Sequence, residues 1–140
     1  RIDTQVEGDG AGDMVQAIGS RAPDGRVTLV AWNGTVDVSK AEGAPLLDRD
    51  VRLTLDGLAA PAYRLRHRRL DERHSNLVRA WTDLDCGADW PAPEQWSELA
   101  SRDRLEDLEP ARVVDAAGAT LELGFALPMP SVSLIELAPA

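Results

Sequence analysis

Apolar and polar residues alternate with a period of two through most of this chain, as expected for strands whose successive side chains point to opposite faces of a sheet. Met14 to Ser20 and Arg26 to Asn33 read as two strands separated by Ala22-Pro23-Asp24-Gly25, where proline presets the turn and glycine accepts its left-handed position. In the second strand Val27, Leu29 and Ala31 face one way and Val30 and Trp32 the other. That strand is predicted to be central and covered on both faces. After a loop over 33–48 rich in Gly, Ser, Glu and Ala, the residues Val51, Leu53 and Leu55 alternate with Arg52, Thr54 and Asp56, and Asp56-Gly57 opens a turn. Ala62 to Leu70 is expected to return antiparallel to that strand, with Tyr63, Leu65 and His67 on one face and Arg64, Arg66 and Arg68 on the other. Arg112 to Val114 and Thr120 to Leu127 read as a hairpin joined by Asp115-Ala116-Ala117-Gly118, with Leu121, Leu123 and Phe125 inward. Pro128-Met129-Pro130 then interrupts pairing before a last strand, Val132 to Leu137.

Between 75 and 105 the spacing changes to that of helices. Ser75 or Asn76 can cap a short helix in which Leu77, Trp81 and Leu84 fall at i, i+4 and i+7, and Gly87 stands just past its end, where a left-handed residue is favoured. Pro93 suits the first turn of a second helix, because its missing N–H has no partner there, and Glu94 meets the positive end of the dipole. Trp96, Leu99 and Ala100 form its apolar stripe. Six or seven short strands punctuated by turns, with one two-helix insertion, predict a mainly β fold. The expected form is an antiparallel β-sandwich of the immunoglobulin or fibronectin kind. With 140 residues, the chain is expected to be one domain, 1–140, and is shorter than the roughly 200 residues a (β/α)8 barrel needs. The polar lead-in from Ile2 to Asp13 carries the expectation that the chain is a segment of a longer one.

Composition narrows the partners. Fifteen basic residues against twenty-four acidic ones give a net charge of -9, which repels phosphate backbones and anionic lipid surfaces and argues against nucleic-acid or membrane partners. No apolar run approaches the roughly 18 residues of a membrane helix. The compartment is not legible. Cys86 is the only cysteine, so no internal disulfide can form. Two histidines and one cysteine at no recognised spacing imply neither a metal site nor a cofactor.

Four groups invite a chemical reading. Asp71, His74 and Ser75 contain the residue types of a hydrolytic triad, but sequence neighbours rarely converge on one point and no nucleophile elbow surrounds Ser75; a turn-bridging role for His74 is preferred. Arg64, Arg66, Arg68, Arg69 and Arg73 form an arginine stripe that could attract an anionic sugar, or could pair with acids on neighbouring strands. Of the four tryptophans, Trp81, Trp96 and Trp32 are expected in the core. Trp90, between Asp89 and Pro91, is the one candidate exposed platform for stacking on a sugar ring, set against simple packing in the elbow. Asn33-Gly34-Thr35 matches a glycosylation sequon and is read as a turn feature.

His74-Ser75-Asn76, Trp81, Trp90-Pro91, Glu94-Gln95-Trp96 and Leu99, followed by Leu127-Pro128-Met129-Pro130 and Glu136-Leu137, resemble the C-terminal region of glycoside hydrolase family 39, the β-xylosidases and α-L-iduronidases. Trp32-Asn33 matches the end of a sandwich strand there, while Gly34-Thr35-Val36 departs from the Tyr-His-Asp continuation of a typical β-xylosidase. The resemblance implies a β-sandwich that packs on a catalytic (β/α)8 barrel. Retaining glycosidases need two carboxyls about 5 Å apart, which this family carries on barrel strands, one in an Asn-Glu pair. No Asn-Glu occurs here. The chain itself is therefore expected to hold no catalytic residue and to be inactive, its partners being the barrel, carbohydrate through that barrel, and a homo-oligomer contact. The alternatives left open are a stand-alone carbohydrate-binding module and an oligomerisation or scaffold domain.

Overall fold

A computed structural model describes residues 1–86 and 90–140. Eight strands, β1 (Val15–Arg21), β2 (Val27–Asn33), β3 (Arg49–Leu55), β4 (Ala62–Leu70), β5 (Glu106–Asp107), β6 (Arg112–Asp115), β7 (Leu121–Leu127) and β8 (Ser131–Pro139), are joined by two helices, α1 (Leu77–Asp83) and α2 (Pro93–Arg102). They form two antiparallel sheets. In the larger sheet the order is β1-β2-β8-β4, with the short β5 and β6 both pairing β4; the smaller contains β3 and β7. This is the β-sandwich with a helical insertion that the periodicity predicts.

The strand pairing corrects two sequence expectations. β3 does not turn back on β4, nor β6 on β7. Instead β3 pairs β7 from Arg49↔Leu127 to Leu55↔Leu121, while β4 pairs β8 along its length and β6 at its start. Each short loop carries the chain from one sheet to the other. Alternation reports which residues face inward but is silent on which strand lies alongside, because a hairpin and an intersheet crossing bury the same parity of side chains.

The interior is layered across the larger sheet. Val27, Leu137 and Leu65 stand in one cross-strand row and Leu29, Ile135 and His67 in the next. They pack against Leu55, Leu121 and Leu123 of the smaller sheet, with Phe125 partly buried beside them. β2 is central as predicted, flanked by β1 and β8, although its outward Val30 and Trp32 are only half-buried. The lead-in is not free: the Ile2 N–H donates to the Gly19 carbonyl at 3.0 Å. A Cβ on Gly19 would come within 2.7 Å of the Ile2 side chain, so the missing side chain there is what lets Ile2 lie against the core.

Toward the end where β2 and β4 leave the sheet and β8 enters, the inward face turns polar. The next rows are Ala31, Ser133 and Arg69, then Asn33 opposite Ser131. Asn33 is buried, and its Nδ2 donates to the carbonyls of Leu47 and Leu127 at 2.8 and 3.0 Å, tying the loop after β2 to the smaller sheet. The amide nitrogen of the sequon is thereby committed inside the fold and offers no glycan attachment. Asn33→Ala leaves two carbonyls without their donor, and its expected cost is about 2–3 kcal/mol of unfolding free energy, read as a lower urea midpoint at unchanged slope.

Candidate functional site

The polar end of the sandwich is also where the surface is most apolar. Val36, Val38 and Leu46 in the loop between β2 and β3, Leu70 and Val132 at the strand ends, and Leu77, Val78, Trp90, Trp96 and Leu105 in the helical insertion are exposed. Of the other large hydrophobics, only Ile18 and Val113 are comparably exposed among the described residues. Apolar surface gathered at one end of a domain marks an interaction site more often than scattered exposed leucines do.

Local chemistry builds the helical part. Asn76 caps α1, its Oδ1 accepting from the Arg79 N–H at 2.9 Å. The Gln95 side chain accepts from the Ala92 N–H at the start of α2 and donates to the Leu84 carbonyl, so one amide both caps the second helix and ties it to the first. Ala80, Cys86 and Leu99 make a small core between the helices, with Trp81 and Leu84 half-buried against it. Two expectations fail here. Trp96 is 51 % exposed and Ala100 is exposed as well, because the contact of α2 with α1 is narrow and buries Leu99 alone of its stripe. The capping role expected of Gly87 lies outside the described residues. Trp90 is 81 % exposed, and its ring lies 5.6 Å from that of Trp96 at a tilt of 49°, giving a paired indole surface instead of one isolated platform.

The Asp71, His74 and Ser75 trio is assembled for structure. Asp71 Oδ1 accepts from the backbone N–H groups of Arg73 and His74 and lies 2.9 Å from His74 Nδ1. Ser75 Oγ, by contrast, donates to the Arg69 carbonyl and accepts from the Glu106 N–H. The hydroxyl therefore staples β5 to the end of β4, and its hydrogen bonds go to backbone groups and not to the imidazole, so these three residues form no nucleophile–base pair. Burial pushes the Asp71 carboxyl up, but the hydrogen bonds from His74 and from the Arg73 and His74 backbone outweigh it and hold the group below its ordinary range.

The arginines divide by parity. Arg64, Arg66 and Arg68 do lie on the outer face, where Arg66 is bidentate to Asp107 and Arg68 pairs with Glu136 across the strands. Cross-strand pairing thus accounts for Arg66 and Arg68. Arg69 points inward and is buried. Grouping it with the stripe hid this, although its odd position, shared with Tyr63, Leu65 and His67, carried the signal. Among the described residues no group of His, Cys, Asp and Glu could hold a metal ion, and no helix is long and apolar enough to cross a membrane.

No protein-family model matches the chain, and no curated protein matches it. Solved structures do. A bacterial orthologue of human α-L-iduronidase superposes with a TM-score of 0.74 at 19 % identity, over 94 % of this chain and 23 % of its own. A GH39 enzyme from Xanthomonas axonopodis pv. citri gives 0.67 at 19 % identity, over 89 % and 26 %. A monomeric β-xylosidase from Caulobacter crescentus CB15 gives 0.64 at 23 % identity, over 89 % and 26 %. The chain spans about a quarter of the length of each. Its fold is therefore that of a β-sandwich segment within larger enzymes of the glycoside hydrolase family 39 kind.

Proposed function

We propose that this chain is a non-catalytic accessory domain of a retaining glycosidase, most simply a xylan 1,4-β-xylosidase acting on xylo-oligosaccharides, and that it supports a (β/α)8 catalytic barrel. The observation that carries this reading is the coverage: the fold accounts for nearly all of this chain and a quarter of each larger solved chain. The apolar end, formed by the loop after β2 and the helical insertion, is the surface that such a domain would bury against a catalytic body. Bond cleavage would belong to two carboxyls on the barrel, one acting as nucleophile and one as acid and then base.

The test compares two proteins. A barrel joined to these residues is expected to release the chromophore from p-nitrophenyl β-D-xylopyranoside, and the 140-residue chain alone to release none. Turnover by the isolated chain overturns the proposal. So does an encoding gene whose adjoining sequence lacks βα periodicity over roughly 250 residues.

A second reading, a sugar-binding module, is favoured by the exposed Trp90–Trp96 pair. If it holds, Trp90→Ala abolishes retardation of the chain in a xylan-containing gel, because each stacked ring is lost with its partner. Equal mobility of both proteins with and without xylan removes that reading and leaves the accessory role intact.

A further inference from the structure

The outer face of the smaller sheet is polar or small, reading Asp50, Arg52 and Thr54 on β3 and Glu122, Gly124 and Ala126 on β7, all exposed. Water requires this of an antiparallel sheet with one solvated side. The outer face of the larger sheet departs from it. One cross-strand row is Gln16, Trp32, Val132 and Leu70, and the next is Ile18, Val30, Leu134 and Arg68. Six of these eight side chains are apolar. Ile18 is 48 % exposed and Leu70 46 %, while Val30, Trp32 and Leu134 are half-buried. Polarity returns only in the third row, Ser20, Thr28, Glu136 and Arg66. The doubly apolar pattern of β2 calls for cover on both sides, and the smaller sheet supplies it on one.

Charge and size select the occupant. The single charge in the two apolar rows, Arg68, is already paired with Glu136, so the strip is neutral and fits an apolar surface that brings no counter-ion. It measures about 19 Å across four strands and about 13 Å along them, far below the roughly 800 Å² a side on which separate chains associate stably. Two copies of a chain with net charge -9 also repel one another. A body tethered in the same polypeptide needs less contact, because linkage raises its effective concentration. Leu70 and Val132 belong to the apolar end as well, so strip and end are one surface bent round the edge of the sheet. Arg1 lines a concavity of about 360 Å³ with Ile18, Thr28 and Val30 on the same face, so a body joined through Arg1 is tethered beside it. A (β/α)8 barrel presents an outer ring of helices, whose apolar stripes suit such a strip.

We propose that the outer face of the larger sheet, centred on Ile18, Val30, Trp32 and Val132, is a docking surface for the apolar stripe of a helix from the outer ring of a barrel in the same polypeptide. This docking rests on the accessory role proposed above and fixes which sheet meets the barrel.

Hydroxyl-radical footprinting read by mass spectrometry tests it, comparing the 140-residue chain alone with a barrel joined to the same residues. In the joined protein, oxidation of Ile18, Trp32 and Val132 is expected to fall to the level of the buried Leu137, while Val113, exposed beside Arg64 farther along the face, reacts equally in both. Ile18→Lys, at a half-exposed position, is expected to leave the urea midpoint of the isolated chain in place and to restore oxidation of Trp32 in the joined protein. Equal oxidation of Ile18 and Trp32 in the two proteins overturns the docking; protection of Val36 and Trp90 in that case leaves the accessory role standing on the apolar end alone, and protection of none of these residues removes both. Reactivity of Ile18 that falls in the isolated chain as its concentration rises also overturns the docking, because a second copy then covers the face. The wild-type comparison decides even if the variant fails to fold.

Discussion

Leu137→Ala is expected to lower the unfolding free energy by about 3–5 kcal/mol, the cost of deleting buried methyl groups and leaving a cavity in a close-packed interior. Leu137 is 1 % exposed in β8, the strand that β2 and β4 flank. It sits between Val27 and Leu65 in a cross-strand row of the same core cluster as Leu55, Leu121 and Leu123 of the smaller sheet. Hydrogen bonds on both sides of β8 prevent the backbone from collapsing into the space, which places the cost toward the upper part of the range. Urea titration checks it against Val132→Ala on the outer face of the same strand, where the side chain is 37 % exposed and the expected loss is below about 1 kcal/mol. Equal losses for the two variants would mean that the interior is not organised around this row.

Acid is expected to destabilise the fold through His67 well before the carboxylates titrate. His67 is buried, with Nε2 3.0 Å from Ser133 Oγ and its ring edge-on to Phe125 at 5.0 Å. Burial, reinforced by the positive charges of Arg69 and Arg112 and only partly opposed by Glu109, pushes its pKa down from 6.5 to about 4. The unfolded chain therefore binds more protons than the native one between about pH 6.5 and pH 4. The stability that neutral His67 confers is full above that window and is lost as pH falls through it. A shift of this size corresponds to about 3 kcal/mol in all, most of it gone by about pH 4.5. His67→Gln keeps a group that can meet Ser133 and should flatten the profile over this interval. The lowered carboxyls of Asp71 and Asp107 act on the acid side of their ordinary 3.8, so the two contributions separate. A wild-type urea midpoint that does not move between pH 7 and pH 4.5 would refute the assignment.

Strand existence and facing were legible because both are local. Alternation placed Tyr63, Leu65 and His67 inward and Arg64, Arg66 and Arg68 outward, and Asn76 and Pro93 marked the helix starts by the backbone groups they satisfy or do without. The candidate site was legible in part. Trp90 stood out because its neighbours Asp89 and Pro91 interrupt the helical spacing, yet its pairing with Trp96 depended on how little of α2 the first helix covers. Arg69 was overlooked because five arginines in ten positions look like one surface stripe until parity is applied to each.

By itself the sequence determined which segments are extended, which helical, where turns fall and which face of a strand points inward, since propensity, period and capping act over a few residues. Only the tertiary structure decided that β3 pairs β7 and β4 pairs β8, that apolar loops and the buried Arg69 gather at one end, and that Asn33 is locked inside. Those outcomes depend on contacts between residues far apart in the chain, where several pairings bury the same apolar surface and the packing of the whole selects among them.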